Sequence, residues 1–290
     1  MTEAVLNAAG AMRADPAATR AARLAAAVRR PAAARLRLAA SVAVGLALLL
    51  YAAWVCDVFG PKLLAGLPKL GGALAMMLAP SGFQHLPEFL WALVETVAMA
   101  LLGTLLGAIV ALPLALVSAR TTFPIRAAQF VFRRFSDALR SLDHLIWALV
   151  FVRAVGLGPL AGIMAIAIVD VGNLAKLYSE AIDNAARRPV EGVRASGGTW
   201  FDGVRLGVLP QVAPNMLAAT LYMFESNTRS ATILGIVGAG GIGYQLADRL
   251  RVYEFGQASL MIILIVITVS AIDALSGWLR ARLIKGAGQT

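Results

Sequence analysis

Apolar residues along this chain run on in long uncharged blocks instead of alternating with polar ones. Leu38 to Cys56 is an uncharged run of nineteen residues. At ~1.5 Å per residue it is long enough to cross a bilayer core of ~30 Å. Thr96 to Ala119 is an uncharged run of twenty-four, with Glu95 at its entrance. Phe255 to Ile272, extended past Asp273 to Leu279, is a third. The middle is broken by Arg153, Gly156, Gly158 and Pro159. This pattern predicts two helices, roughly 132–154 and 159–178, joined by a short turn at Gly156-Leu157-Gly158-Pro159. Gln211 to Phe224 and Ser230 to Leu246 form one apolar stretch interrupted by the polar residues 225–229. It predicts one helix followed by a Gly-rich re-entrant or loop segment. The pattern as a whole predicts an all-α polytopic membrane protein with about six transmembrane helices.

Composition agrees. The 290 residues are 59% hydrophobic and only 14% charged, against ~25% charged in soluble domains. The net charge of +10 is accounted for by topology. Twenty of the 26 basic residues fall in the first 37 residues, in 120–140, in 176–205 and at the C-terminal end. With these segments on one side, the positive-inside rule makes both termini and the 180–210 loop cytoplasmic. Aromatic residues do not interleave with the basic ones as nucleic-acid stacking requires, so nucleic acid is excluded as a partner. The first 37 residues are Ala- and Arg-rich without the apolar core of a signal peptide, and read as a cytoplasmic tail.

The chemistry-bearing residues define no enzyme. A lone cysteine, Cys56, and two separated histidines, His85 and His144, make no metal site. No G-x-x-x-x-G-K-[ST] occurs, so the chain has no P-loop for ATP. Gly238-Ala-Gly-Gly-Ile-Gly243 matches G-x-G-x-x-G. No strand is predicted before it, so bent backbone or close helix packing explains it better than a dinucleotide. Gly103 with Gly107, and Gly158 with Gly162, have the spacing of closely packed spans.

Two polar groups remain. Glu225 and Arg229 are four apart and share a helix face. Ionisable residues within a span are costly unless paired or facing water. With Asn227, they either form a structural pair or line a translocation path. Asp170 and Asn173 either line the same path or cap and pack their helix. The other group is the polar loop over 180–210. It mixes charge with small residues, among them Ala195, Gly197 and Gly198. Gly197-Gly198 can end one short helix and turn the chain, and Leu209-Pro210 can start the next. The expected product is a helix-turn-helix on the membrane face that can seat in a groove of a soluble partner.

This loop resembles the coupling loop of ABC-importer permeases. Glu191, Gly197, Leu209 and Pro210 fall in register with that motif; Gly192 and Val193 stand where it carries two alanines, and Gly207 replaces an aliphatic residue. Residues 224–243, 147–159 and 176–182 resemble the corresponding segments of phosphonate-importer permeases, and the likeness covers about 85–280. Ser141-Leu142-Asp143-His144 departs from the family pattern. The resemblance implies the type I ABC importer permease fold. Together with the composition and the apolar runs outside it, it divides the chain into a tail over 1–37, a first transmembrane helix over 38–58, a permease core over 85–280 containing the coupling loop 180–210, and a C-terminal tail over 281–290.

The resemblance also implies a machine in a bacterial inner membrane. Two copies of an ABC ATPase would bind ATP and magnesium, a periplasmic binding protein would deliver the substrate, and a second permease copy would complete the pore. Glu191, Ala195, Gly197, Leu209 and Pro210 would couple to the ATPase, while Glu225, Asn227, Arg229 and Asp170 are candidates for the path. The cargo the resemblance implies is a phosphonate; phosphite, phosphate or another small oxyanion is the alternative. A secondary transporter or a non-transporting scaffold is the alternative of another class.

Overall fold

A computed structural model describes residues 32–58 and 60–287. Among the described residues all regular structure is helical, as a bilayer demands of a chain that must satisfy its own backbone. The chain divides into two units, residues 1–71 and 72–290.

In the first unit, α1 spans Ala32–Val55. It begins earlier than the expected 38 and ends before 58. The chain turns at Cys56–Val58, where Asp57 takes a φ of 53°. α2, Pro61–Met77, crosses the boundary between the units. The expected tail over 1–37 lies outside the described residues as far as 31. The expected C-terminal tail over 281–290 is helical to Ala287, and its last three residues lie outside them.

The second unit holds α3 (Leu86–Ser118), α4 (Arg126–Leu139), α5 (His144–Val155), α6 (Pro159–Asp183), α7 (Arg187–Ala195), α8 (Leu209–Ile236), α9 (Gly241–Arg251) and α10 (Phe255–Ala287). A turn of helix at Trp200–Asp202 and a π-helical turn at Gly203–Val208 lead unbroken into α8. Among the described residues of both units, four helical segments are long and apolar enough to cross a membrane: Leu36–Val55, Phe83–Ser118, Pro159–Asp183 and Phe255–Leu283. The pair Trp200–Ile236 and Gly241–Arg251, bent by 41°, makes up to five.

The difference from the expected six lies in the segment 132–154, which is not one helix. It is divided by a break at 140–143 into the 14-residue α4 and the 12-residue α5. The cause is local. Asp143 is extended and its carboxylate caps the His144 amide at 2.8 Å, which starts a new helix instead of continuing the old one. The polar residues 225–229, by contrast, do not interrupt α8.

The centre of the unit is α3 against α6. A Cβ on Gly103 would lie 2.7 Å from the Ile166 side chain, and one on Gly107 would lie 2.6 Å from the Asp170 Cβ and 3.1 Å from the Ala167 carbonyl. Buried alanines, including Ala100, Ala111, Ala161 and Ala165, continue this seam. Gly162 packs against Met99 and Ala239. Gly158 does not: it is a turn residue with a φ of 136°, its amide donates to the Gly238 carbonyl at 2.9 Å, and nothing lies within 4 Å of where a Cβ would be. The Gly-rich stretch folds back on itself, with Gly243 directly against the Thr232 carbonyl and Gly235 against the Gly240 carbonyl. It is a tight hinge between α8 and α9. Gly107→Ala should therefore force α3 off α6 and cost about 1–3 kcal/mol. Gly277→Ala, with nothing within 4 Å, should be neutral or stabilising by about 0.5–1 kcal/mol. Thermal unfolding in nanodiscs reads both.

Candidate functional site

The loop between α6 and α8 is not a slack connection. α7 ends at Ala195, and the chain reverses at Gly197, whose φ of 86° is a left-handed value that side chains resist. Thr199 then caps the next turn reciprocally. Its amide donates to the Asp202 carboxylate at 2.9 Å, its hydroxyl donates to the same oxygen, and the Asp202 amide returns to the Thr199 hydroxyl at 3.4 Å. The helix therefore restarts at Trp200 and not at the expected Leu209-Pro210. The π turn before Pro210 matters for this continuity. The Leu209 amide reaches back to the Val204 carbonyl, and the wider turn relieves the clash a proline ring makes with the carbonyl four residues earlier.

Two contacts fasten the loop to the helix ends, a third ties those ends together, and a fourth packs the loop on itself. The Gln211 side chain clamps Ala186, accepting from its amide at 3.1 Å and donating to its carbonyl at 3.2 Å. The Trp200 indole donates to the Thr122 carbonyl at 2.6 Å. Asp183 accepts from the Arg120 and Thr121 amides at 2.6 and 3.2 Å and pairs with Arg133 at 2.9 Å. Val190 packs so close to Gly207 that a Cβ there would lie 2.9 Å away. Gly207 is thus required where the motif carries an aliphatic residue. With one face of α7 held in this way, Glu191, Ala195, Arg187, Arg188 and Arg194 are left exposed. Glu191 and Arg194 also border a cleft of about 410 Å³ beside Arg120 and Trp200. Leu209 is half-buried and Pro210 exposed.

The four candidate path residues separate into two groups. Asn227 is 1% exposed and Asp170 0%. The Asn227 amide donates to the Asp170 carboxylate at 2.6 Å and to the Thr104 hydroxyl at 2.8 Å. This knot ties α8, α6 and α3 together, and Asp170 sits on the bare backbone of Gly107. A passing ion reaches neither residue unless these helices separate.

Glu225 and Arg229 lie on the other face of α8, about 200° around the helix from Asn227 by the ~100° step per residue. Their mutual contact is 3.8 Å. The shorter contacts go to α10: Arg280 to Glu225 at 2.7 Å, and Arg229 to both oxygens of Asp273 at 3.1 and 3.2 Å. Glu225 is 13% exposed and Arg229 46%. Asp273 and Arg280 were legible only as charges in or beside an apolar run. Their partnership with α8 was not, because it spans 44 and 55 residues.

These features make a class. An all-helical membrane chain with a short projecting helix between two long ones has the architecture of an importer permease. The fold matches a chain of the inward-facing MetNI methionine ABC transporter with a TM-score of 0.62, at 21% identity, over 70% of this chain and 99% of that one. The chain belongs to the family of binding-protein-dependent transport system inner membrane components, which matches residues 103–288. The phosphite transport system permease protein PtxC of Stutzerimonas stutzeri is 36% identical over 240 residues, 82% of this chain and 87% of that protein. The phosphate-import permease protein PhnE of Mycolicibacterium smegmatis is 40% identical over 208 residues, 71% of this chain and 39% of that protein.

Asn227→Ala should leave the buried Asp170 carboxylate without its amide partner and cost about 1–3 kcal/mol. The measurement is the thermal midpoint in nanodiscs, where an unchanged value would contradict a structural role for the knot.

Proposed function

We propose that this permease is the membrane subunit of an ATP-driven importer for a small phosphorus oxyanion, with phosphonate as the cargo and phosphite or phosphate as alternatives. The cargo reading is supported by the likeness of residues 224–243 to phosphonate-importer permeases and by relatives named for phosphite and phosphate transport. It forms a homodimer in a bacterial inner membrane with both termini cytoplasmic. A periplasmic binding protein delivers the substrate, and two ABC ATPase subunits bind ATP and magnesium below.

The observation that carries the coupling role is α7. It is an exposed helix bearing Glu191, held on its inner face by Val190 against Gly207 and at its start by the Gln211 clamp on Ala186. A helix fastened in this way moves with α6 and α8. Closure of the ATPases pulls on α7 and rocks the long helices between inward- and outward-facing states. Selectivity rests with the binding protein. Arg229 lines the path: a passing oxyanion competes with Asp273 for its guanidinium, a charge-assisted and bidentate mode of binding.

Two substitutions test the two roles. Glu191→Lys should weaken ATPase association by about tenfold or more, the equivalent of one lost charge-assisted contact. It should lower uptake in parallel. Co-purification and uptake that both stay at the native level would sink the coupling assignment. Arg229→Gln should cut uptake several-fold while the ATPase stays bound; detachment of the ATPase would make Arg229 a folding residue instead.

A further inference from the structure

A second cleft, of about 460 Å³, opens between the end of α3, α4 and the last turns of α6. Three serines line it: Ser179, whose hydroxyl bonds the Lys176 carbonyl at 2.8 Å, and Ser118 and Ser136, at 2% and 3% exposure. Neither Ser118 nor Ser136 has a hydrogen-bond partner among the described residues. Buried hydroxyls in helices ordinarily bond a carbonyl one turn back, and Thr96, Thr104 and Thr228 of this chain all do so at 2.8–2.9 Å. Ser118 and Ser136 forgo that bond, although a buried unsatisfied polar group is destabilising. Their backbones are fixed where they stand. The Arg133 side chain donates to the Ser118 carbonyl at 2.8 Å. The Ser136 carbonyl would lie 2.7 Å from a Cβ on Gly172.

Charge around the cleft is in surplus. Arg133, Arg134, Arg140 and Lys176 line it with Asp137, Glu180 and Asp183, four cations against three carboxylates. Asp137 is shared by two guanidiniums, Arg134 at 3.2 Å and Arg140 at 3.0 Å. Lys176 stands 3.8 Å from Glu180, beyond hydrogen-bond length. Two unused hydroxyls and one excess positive charge, with the Lys176 ammonium held only at 3.8 Å by Glu180, converge on a space far larger than a single tetrahedral anion.

We propose that this cleft binds a phosphoryl oxyanion, either free phosphate or the phosphodiester of an anionic lipid headgroup. The site is separate from both intramembrane polar clusters. It does not rest on the transport reading, since its residues are neither on α7 nor in the Glu225–Arg229 group.

The test uses the full-length chain in phosphatidylcholine nanodiscs. One arm adds inorganic phosphate against chloride at equal ionic strength. The other replaces part of the lipid with phosphatidylglycerol in phosphate-free buffer. A saturable rise of about 2–4 °C in the unfolding midpoint is expected in at least one arm. A rise in the first alone identifies the free anion, and a rise in the second alone identifies the lipid. In the responding arm the Ser118→Ala/Ser136→Ala chain should keep or exceed the native midpoint without ligand, because its hydroxyls bond nothing. It should need about tenfold more ligand for the same shift. Lys176→Gln, at an exposed position, is the second variant and should show the same loss. No rise in either arm would overturn the proposal, as would a rise that both variants reproduce at native concentrations.

Discussion

Inside a bilayer, an apolar side chain gains nothing from water by leaving the lipid for another helix, so helices are held by close packing and by polar groups that need each other. The contact of α3 with α6 is the case on which this chain is built. Gly103 and Gly107 let α6 approach to backbone distance. That approach encloses Asp170, and the enclosed carboxylate requires Asn227 of α8. Three long helices are thus placed by one seam of missing side chains and one buried hydrogen-bonded knot. Either feature alone is weaker: glycines give proximity without direction, and a polar pair gives direction only if the helices come close enough to exclude water.

The projecting loop inherits this frame. Its anchors are at the ends of the same helices: Asp183 at the end of α6, Thr122 just beyond α3, and Gln211 in the first turn of α8. The π turn joins Trp200 to α8 without a break despite Pro210. Ala186 at the start of α7 is bonded to Gln211 of α8, and the turn at Trp200 runs continuously into α8. Such continuity is what a coupling element needs if events in a soluble partner are to rock the membrane helices.

The polar residues of α8 divide by face. Asn227 points into the knot and is unavailable in this conformation. Glu225 and Arg229 point toward α10, where Asp273 and Arg280 make a network of two positive and two negative charges with Arg229 nearly half exposed. One helix thus carries both the fastening of the bundle and a half-exposed guanidinium, separated by the helical repeat.

Much of this was legible in order along the chain. Uncharged runs marked α1, α3 and α10. Gly156 to Pro159 marked the turn before α6, and Gly197-Gly198 marked the end of α7. Each follows from the backbone's own requirements, for length across a bilayer or for a left-handed turn, and these are local. The division of 132–154 into α4 and α5 was hidden, since Asp143 reads as a cap only once its neighbours leave the helix. The restart at Trp200 was hidden as well, because it needs the π turn at Gly203–Val208 to carry the helix past Pro210, and Pro210 by itself reads as a helix start.

The candidate charges were visible, but not their partners. Arg229 with Asp273, Asp170 with Asn227 and Trp200 with Thr122 are each more than forty residues apart, and periodicity carries no information at that range. By itself the sequence determined that the chain is helical, that it crosses a membrane, and that its 180–210 loop is built to turn and protrude. Only the tertiary structure decided which charges are locked together and which stay open, because that depends on which helices approach closely enough to shut out everything else.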